Sequence, residues 1–176
     1  MEEFLTDIKT LRDQALETIA KGPVTEAYGQ DLDRIIYVLN QILATELDFV
    51  LRYKRHYFTA EELNAQSVAE EFLLHAGEES DHADMISARI QQLGGVPVTY
   101  PGTAAGRGRW GCDSSAEFES MIREDLVAER VAITTYAEII AWLGSADPAS
   151  KRMLEEILET EEEHAEDMLD LLAGIG

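Results

Sequence analysis

The stretch Phe72-Leu73-Leu74-His75-Ala76-Gly77-Glu78-Glu79-Ser80-Asp81-His82-Ala83-Asp84-Met85-Ile86 decides how this chain folds. Phe72, His75, Glu79, His82 and Ile86 follow the alternating three- and four-residue steps of an inward helical seam. That seam is apolar only at its ends. An ionised carboxylate placed there is costly unless a proton, a cation or a metal compensates it. A second stretch, Leu154 to Met168, repeats the pattern through Leu154, Ile157, Glu161, His164 and Met168.

Two further seams carry the same interruption. One reads Ile35, Leu39, Ile42, Glu46, Phe49, Tyr53, and the other Phe118, Ile122, Asp125, Glu129, Ala132, Tyr136. Four converging carboxylates would repel each other, and two divalent ions balance them: four acids carry −4, two M²⁺ carry +4, and neutral His82 and His164 add nitrogen ligands without charge. The i, i+3 spacing of Glu79 to His82 and of Glu161 to His164 puts acid and imidazole on one helix face. In a chain with 23 glutamates, one Glu-x-x-His is a common coincidence. Six ligand-type residues at one level, in matched halves, are not.

The matching also locates the turns. Tyr53 follows Glu46 by seven residues and Tyr136 follows Glu129 by seven; Glu79 lies 33 after Glu46, and Glu161 lies 32 after Glu129. Antiparallel partners meet at one level only if the turn lies midway. That is residue 145 for the second hairpin, where Gly144 and Pro148 already read as a turn with Asp147 as N-cap. For the first hairpin it is 62 to 63, near Leu63-Asn64. Thr59 to Glu62 resembles a capping box, but a break there would leave Glu46 and Glu79 about 10 Å out of level at roughly 1.5 Å per residue.

The chain is therefore expected to be all-α: a four-helix bundle of two helical hairpins joined by a long crossover, which sets the halves parallel where an up-down bundle sets them antiparallel. An extra short helix, Glu3 to Ala20, precedes it and stops at Lys21-Gly22-Pro23. Residues 1–30 are expected to be an appendage and linker, 31–176 the bundle, and about 94–113 the Gly-rich crossover. A capping box at Ser114 and Glu117 is expected to restart the helix after it.

Of the 176 residues, 14 are Lys or Arg and 35 Asp or Glu, a net charge of −21. Such a surface repels nucleic acid and anionic lipid and gathers cations. One cysteine, Cys112, excludes a disulfide framework within the chain. No apolar run is long enough to span a bilayer, and Met1-Glu2-Glu3-Phe4-Leu5 lacks the basic start of a signal peptide, so the expected location is cytoplasmic. Halophilic adaptation is the alternative source of the acidity. His75 is read as a hydrogen-bonded core histidine or an accessory metal or proton site, and Asp125 as orienting a ligand. Tyr53 and Tyr136 are read as donors to bridging carboxylates, as electron sources or as core packing. His56 is expected at the surface.

Glu46-x6-Tyr53, Glu79-x-x-His82-Ala83-Asp84, Glu129-x6-Tyr136 and Glu161-Glu162-Glu163-His164 resemble the di-iron signature of the ferritin-like superfamily, nearest to bacterioferritins and Dps-like mini-ferritins with a bacterioferritin-type site. The resemblance spans about Asp31 to Leu172. It implies that Glu79 and Glu161 bridge two Fe ions, that Glu46 and His82 complete one, and that Glu129 and His164 complete the other, with Mn or Zn as possible substitutes. It implies a ferroxidase that oxidises Fe(II) with H2O2 or O2 for iron storage and oxidative-stress protection. A dodecameric cage is expected over a 24-mer or dimer, because of the extra N-terminal helix and the missing fifth bundle helix. Haem-binding bacterioferritins carry a methionine after the bridging Glu of the second helix. Here it is Ser80, so no haem is expected. DNA binding of the Dps kind uses basic tails, whereas Met1 to Ala20 holds Lys9 and Arg12 against five acids. The rival readings are a dimanganese catalase, a rubrerythrin-like peroxidase, whose usual iron-sulfur module needs four cysteines, and a non-catalytic structural bundle.

Overall fold

The computed structural model describes residues 5–25, 28, 32–98 and 118–175. Those residues form α1 (Ile8–Glu17), a 3₁₀ turn (Ile19–Lys21), α2 (Leu32–Glu62), α3 (Gln66–Gln92), α4 (Phe118–Leu143) and α5 (Pro148–Ile175), with no strand among them. Cys112 and the Ser114–Glu117 capping box lie outside the described residues.

All the seam residues named above are buried except Phe118, which is half-buried. The bundle therefore turns on the axis that the four-three spacing defines. α2 packs on α3, α4 packs on α5, and the hairpins approach each other most closely along α3 and α5. Side-chain pairs across the bundle show α2 antiparallel to α4 and α3 antiparallel to α5. Consequently α3 and α4, consecutive across the crossover, run the same way.

The first turn is Leu63-Asn64-Ala65. Asn64 takes the left-handed region (φ 57°), which asparagine tolerates, and Ala65 N–H donates to Ala60 O at 3.0 Å. Thr59 starts no new helix, because its hydroxyl bonds back to Arg55 O at 3.1 Å inside α2. The second turn uses Gly144 (φ 53°), and the buried Asp147 accepts from Ser150 N–H at 3.0 Å ahead of α5. Arg89 near the end of α3 reaches across to this cap, with Nη2 donating to Asp147 Oδ1 at 2.7 Å and Nε to Ser150 Oγ at 2.8 Å. One buried cation thus sets the level of α5 against α3.

The first helix is shorter than expected. Asp7 caps it by accepting from the Lys9 and Thr10 N–H groups at 3.0 and 3.1 Å, so α1 begins at Ile8 and gives way to the 3₁₀ turn after Glu17. None of its residues is buried. Past it, Tyr28 meets the bundle by accepting from Arg89 Nη2 at 3.1 Å. The start of the crossover is pinned to α2: Val98 N–H donates to Asn40 Oδ1 at 2.7 Å, and Asn40 Nδ2 donates to Val96 O at 3.3 Å.

Candidate metal centre

Glu46, Glu79, His82, Glu129, Glu161 and His164 meet at mid-bundle, each no more than 5% exposed. Their ligand atoms fall into two overlapping groups. One is Glu46, Glu79, His82 and Glu161; the other is Glu79, Glu129, Glu161 and His164. Glu79 and Glu161 belong to both. His82 Nδ1 lies 3.0 Å from Glu161 Oε1, 3.3 Å from Glu46 Oε2 and 3.4 Å from Glu79 Oε2. His164 Nδ1 lies 3.3 Å from Glu79 Oε1 and 3.8 Å from Glu161 Oε2.

Hydrogen bonds hold the outer atoms and leave the inner ones open. Tyr136 hydroxyl donates to Glu46 Oε1 at 2.8 Å, and Tyr53 hydroxyl donates to Glu129 Oε1. Each tyrosine thus serves a carboxylate of the other hairpin, outside the pair shared by both groups, so of the three readings of these tyrosines the donor reading holds for Glu46 and Glu129 and not for the shared acids. The reason is level: antiparallel α2 and α4 bring residue 53 opposite 129 and residue 46 opposite 136. His164 Nε2 meets Glu78 Oε2 at 3.0 Å, so Nδ1 is the ring nitrogen that faces inward. Among the described residues, ten buried side-chain atoms lack a hydrogen-bond partner, and eight are Glu46 Oε2, both oxygens of Glu79 and of Glu161, Glu129 Oε2, and Nδ1 of His82 and His164. Orphaned buried polar atoms are uncommon in native proteins. Eight of them converging on one pocket with N/O ligand chemistry fit a pair of divalent first-row ions.

The electrostatics report the same need for compensation. Burial, then the charges of Glu161 and Glu79, push Glu46 and Glu129 well above the usual carboxylate range. Burial alone would push the imidazoles down, but the facing carboxylates outweigh it: Glu161, Glu46 and Glu79 push His82 up to about 12, and Glu161 with Glu79 push His164 up to about 10. Glu161 is pulled down to about 2, because its neighbours His164 and His82 outweigh its burial. In chelator-stripped protein, protons thus do what cations would do. Raised imidazole values stabilise that form fully below the ordinary histidine value of 6.5, and the contribution is lost as pH climbs through about 10 and then about 12. Divalent binding at pH 7 is therefore expected to release about two to four protons per chain. Calorimetry in buffers of different ionisation enthalpy reads that number directly, and an enthalpy independent of buffer would contradict it.

Two further side chains depart from expectation. His56 is buried (2% exposed), and its Nδ1 meets Asp125 Oδ2 at 2.7 Å. Asp125 also lies 3.8 Å from Arg52 Nη1, and its hydrogen bond goes to His56 and to none of the six ligand-type residues, so it does not orient one of them. The pairing was legible in principle: with Tyr53 opposite Glu129, one further turn along antiparallel helices brings His56 opposite Asp125. Glu78 carries no seam signal, because it sits off the inward seam, on the flank of α3 that faces α5. His75 is buried with Nε2 turned towards Asp167 and Glu71.

Two helices that each offer a glutamate, and two more that each offer Glu-x-x-His, thus converge on one carboxylate–histidine pocket inside a four-helix bundle, with two acids common to both groups. The chain belongs to the ferritin-like family, whose Ferritin-like domain model matches residues 36–175. It is 31% identical over 138 residues to the nutrient stress-induced DNA-binding protein of Synechococcus sp., covering 77% of this chain and 78% of that protein. It is 27% identical over 132 residues to the bacterioferritin of Desulfovibrio desulfuricans, covering 74% of this chain and 70% of that one. Among solved structures, the dodecameric thioferritin of Bacteroides fragilis, a bacterioferritin-related protein, matches with a TM-score of 0.77 at 28% identity, over 93% of this chain and 94% of that chain. Rhodobacter capsulatus bacterioferritin, described with a metal-free dinuclear site and haem iron, matches with a TM-score of 0.70 at 26% identity, over 82% and 86% of the two chains. The fold is therefore the ferritin-like bundle, in a family of iron-storing and iron-oxidising proteins. Among the described residues no helix is long and apolar enough to cross a membrane.

Proposed function

We propose that the protein is a ferroxidase: it binds two Fe²⁺ as substrate between the hairpins, passes their electrons to H2O2 or O2, and serves iron storage and protection against oxidative stress. The observation that carries this reading is the sharing of Glu79 and Glu161 by two four-residue ligand groups whose inner atoms have no other partner. In this reading Glu79 and Glu161 bridge, Glu46 with His82 completes one position, and Glu129 with His164 completes the other. Oxygen donors suit the harder Fe³⁺ product, and the imidazoles keep affinity for Fe²⁺ without adding charge. The tyrosines fix the two terminal carboxylates, and burial together with those carboxylates pushes both phenols well above their ordinary range, so they stay protonated donors.

With peroxide the balance is simple: each Fe²⁺ gives one electron, the O–O bond breaks, and two protons complete two waters. Anaerobic stopped-flow with two Fe²⁺ per chain, mixed separately with H2O2 and O2, tests it. Oxidation at least about 100-fold faster than buffer, the scale a positioned dinuclear site contributes, is expected with one oxidant. Rates equal to buffer with both would overturn the reading.

A cage of identical subunits, dodecameric as in the Bacteroides fragilis protein, suits the size and the acidity of the chain. Light scattering on the purified protein measures it. No haem is proposed, since Ser80 offers no thioether. No nucleic-acid partner is proposed either: two relatives bear the name DNA-binding protein, but a net charge of −21 opposes a polyanion.

A further inference from the structure

Among the described residues, the proposed function leaves one group of ligand-type side chains wholly unused, at the joint between α3 and α5. His75 is 1% exposed, and its ring stacks on that of His164 with centroids 4.0 Å apart. Its Nε2 turns to two acids from different helices, Asp167 Oδ2 at 3.3 Å and Glu71 Oε1 at 3.4 Å. Both distances are long for a charge-assisted hydrogen bond. Ligand atoms of all three residues lie within 4.8 Å of one another. The other ring nitrogen, Nδ1, has no partner.

A buried core histidine needs one good acceptor, and one acid would satisfy it. Two carboxylates are set against the same nitrogen and against each other. Burial first, and then the charges of Asp167 and Glu78, push Glu71 above its ordinary value. Two acids round one imidazole repel each other, and a bound cation relieves that repulsion.

We propose that Glu71, His75 and Asp167 form a third, mononuclear site for a divalent first-row transition cation, beside the dinuclear centre. One imidazole nitrogen and two carboxylates are the donor set such ions take, with water in the open positions. The side chains of Glu71 and Asp167 are 31% and 47% exposed, so an ion reaches them from solvent. His75 stacks on His164, which places that ion one ring away from the dinuclear pocket. The site therefore stages Fe²⁺ at the α3–α5 face. That role rests on the proposed function, whereas binding itself does not.

Crystals of the full chain soaked in zinc chloride and measured at the zinc edge test this directly. A peak about 2.0–2.1 Å from His75 Nε2 is expected, distinct from the dinuclear pair. In the Glu71→Gln/Asp167→Asn variant, which keeps size and hydrogen-bonding capacity, that peak is lost, and equilibrium dialysis shows one fewer zinc ion bound per chain. The dinuclear pair without the third peak overturns the proposal and leaves the proposed function standing. A third peak without the pair supports this site and overturns the dinuclear reading. A third peak that survives the double substitution overturns the ligand assignment, and no peaks at all overturn both.

Discussion

Protein carrying Glu79→Leu and His82→Phe is expected to bind neither ion of the dinuclear centre, to oxidise Fe²⁺ no faster than buffer, and to lose metal-dependent stabilisation. Glu79 belongs to both ligand groups, so its removal empties both positions, and His82 is the nitrogen donor of one of them. Each ion held at a thousand times its dissociation constant contributes about 4 kcal/mol to the wild-type fold. For a chain of this length that moves the melting temperature by on the order of 10 °C. The stripped variant is expected to melt at or above the stripped wild type, because apolar side chains replace buried groups that lack partners. Thermal denaturation with and without Mn²⁺ measures both effects. If the six polar residues only set the register of the bundle, the wild type shows no metal-dependent shift. That outcome would return the protein to a structural role.

Substituting Arg89 by Met is expected to cost about 3–5 kcal/mol, the penalty of leaving a buried carboxylate without its cation. Asp147 is 0% exposed and holds the start of α5, while Arg89 supplies its charge partner from α3. The penalty should shrink when Asp147→Asn is added, since the amide keeps the capping acceptor and discards the uncompensated charge. Urea unfolding of the single and double variants, in the presence of chelator, isolates this from metal linkage. A loss below about 1 kcal/mol would place the pair with ordinary surface ion pairs. The pair matters to function because α5 carries Glu161 and His164. Their level against Glu79 and His82 is set where the two helices are tied.

Much of this was readable beforehand, for a reason. A helix seam is a local property: the spacing of Ile35, Leu39, Ile42, Glu46, Phe49 and Tyr53 dictates one buried face whatever packs on it. Turn chemistry is local too, and with it the rise per residue fixes which seam residues meet within a hairpin. Six residues of the centre and both turns follow from those two facts. Contacts between the hairpins do not. His56 looked like a surface residue because its environment, Arg52 and Asp125, includes a side chain from a helix nearly seventy positions away. Glu78 meets α5, and His75 meets acids from both α3 and α5.

The amino-acid order by itself determined an all-α chain, its two hairpins and the six side chains that had to be compensated, since periodicity and the cost of buried charge act within a helix and its immediate partner. Only the tertiary structure decided how one hairpin is rotated and slid against the other. That choice, made by long-range packing and by buried pairs such as Arg89 with Asp147, assigned each tyrosine to its acid, turned His56 inward and brought Glu71, His75 and Asp167 together.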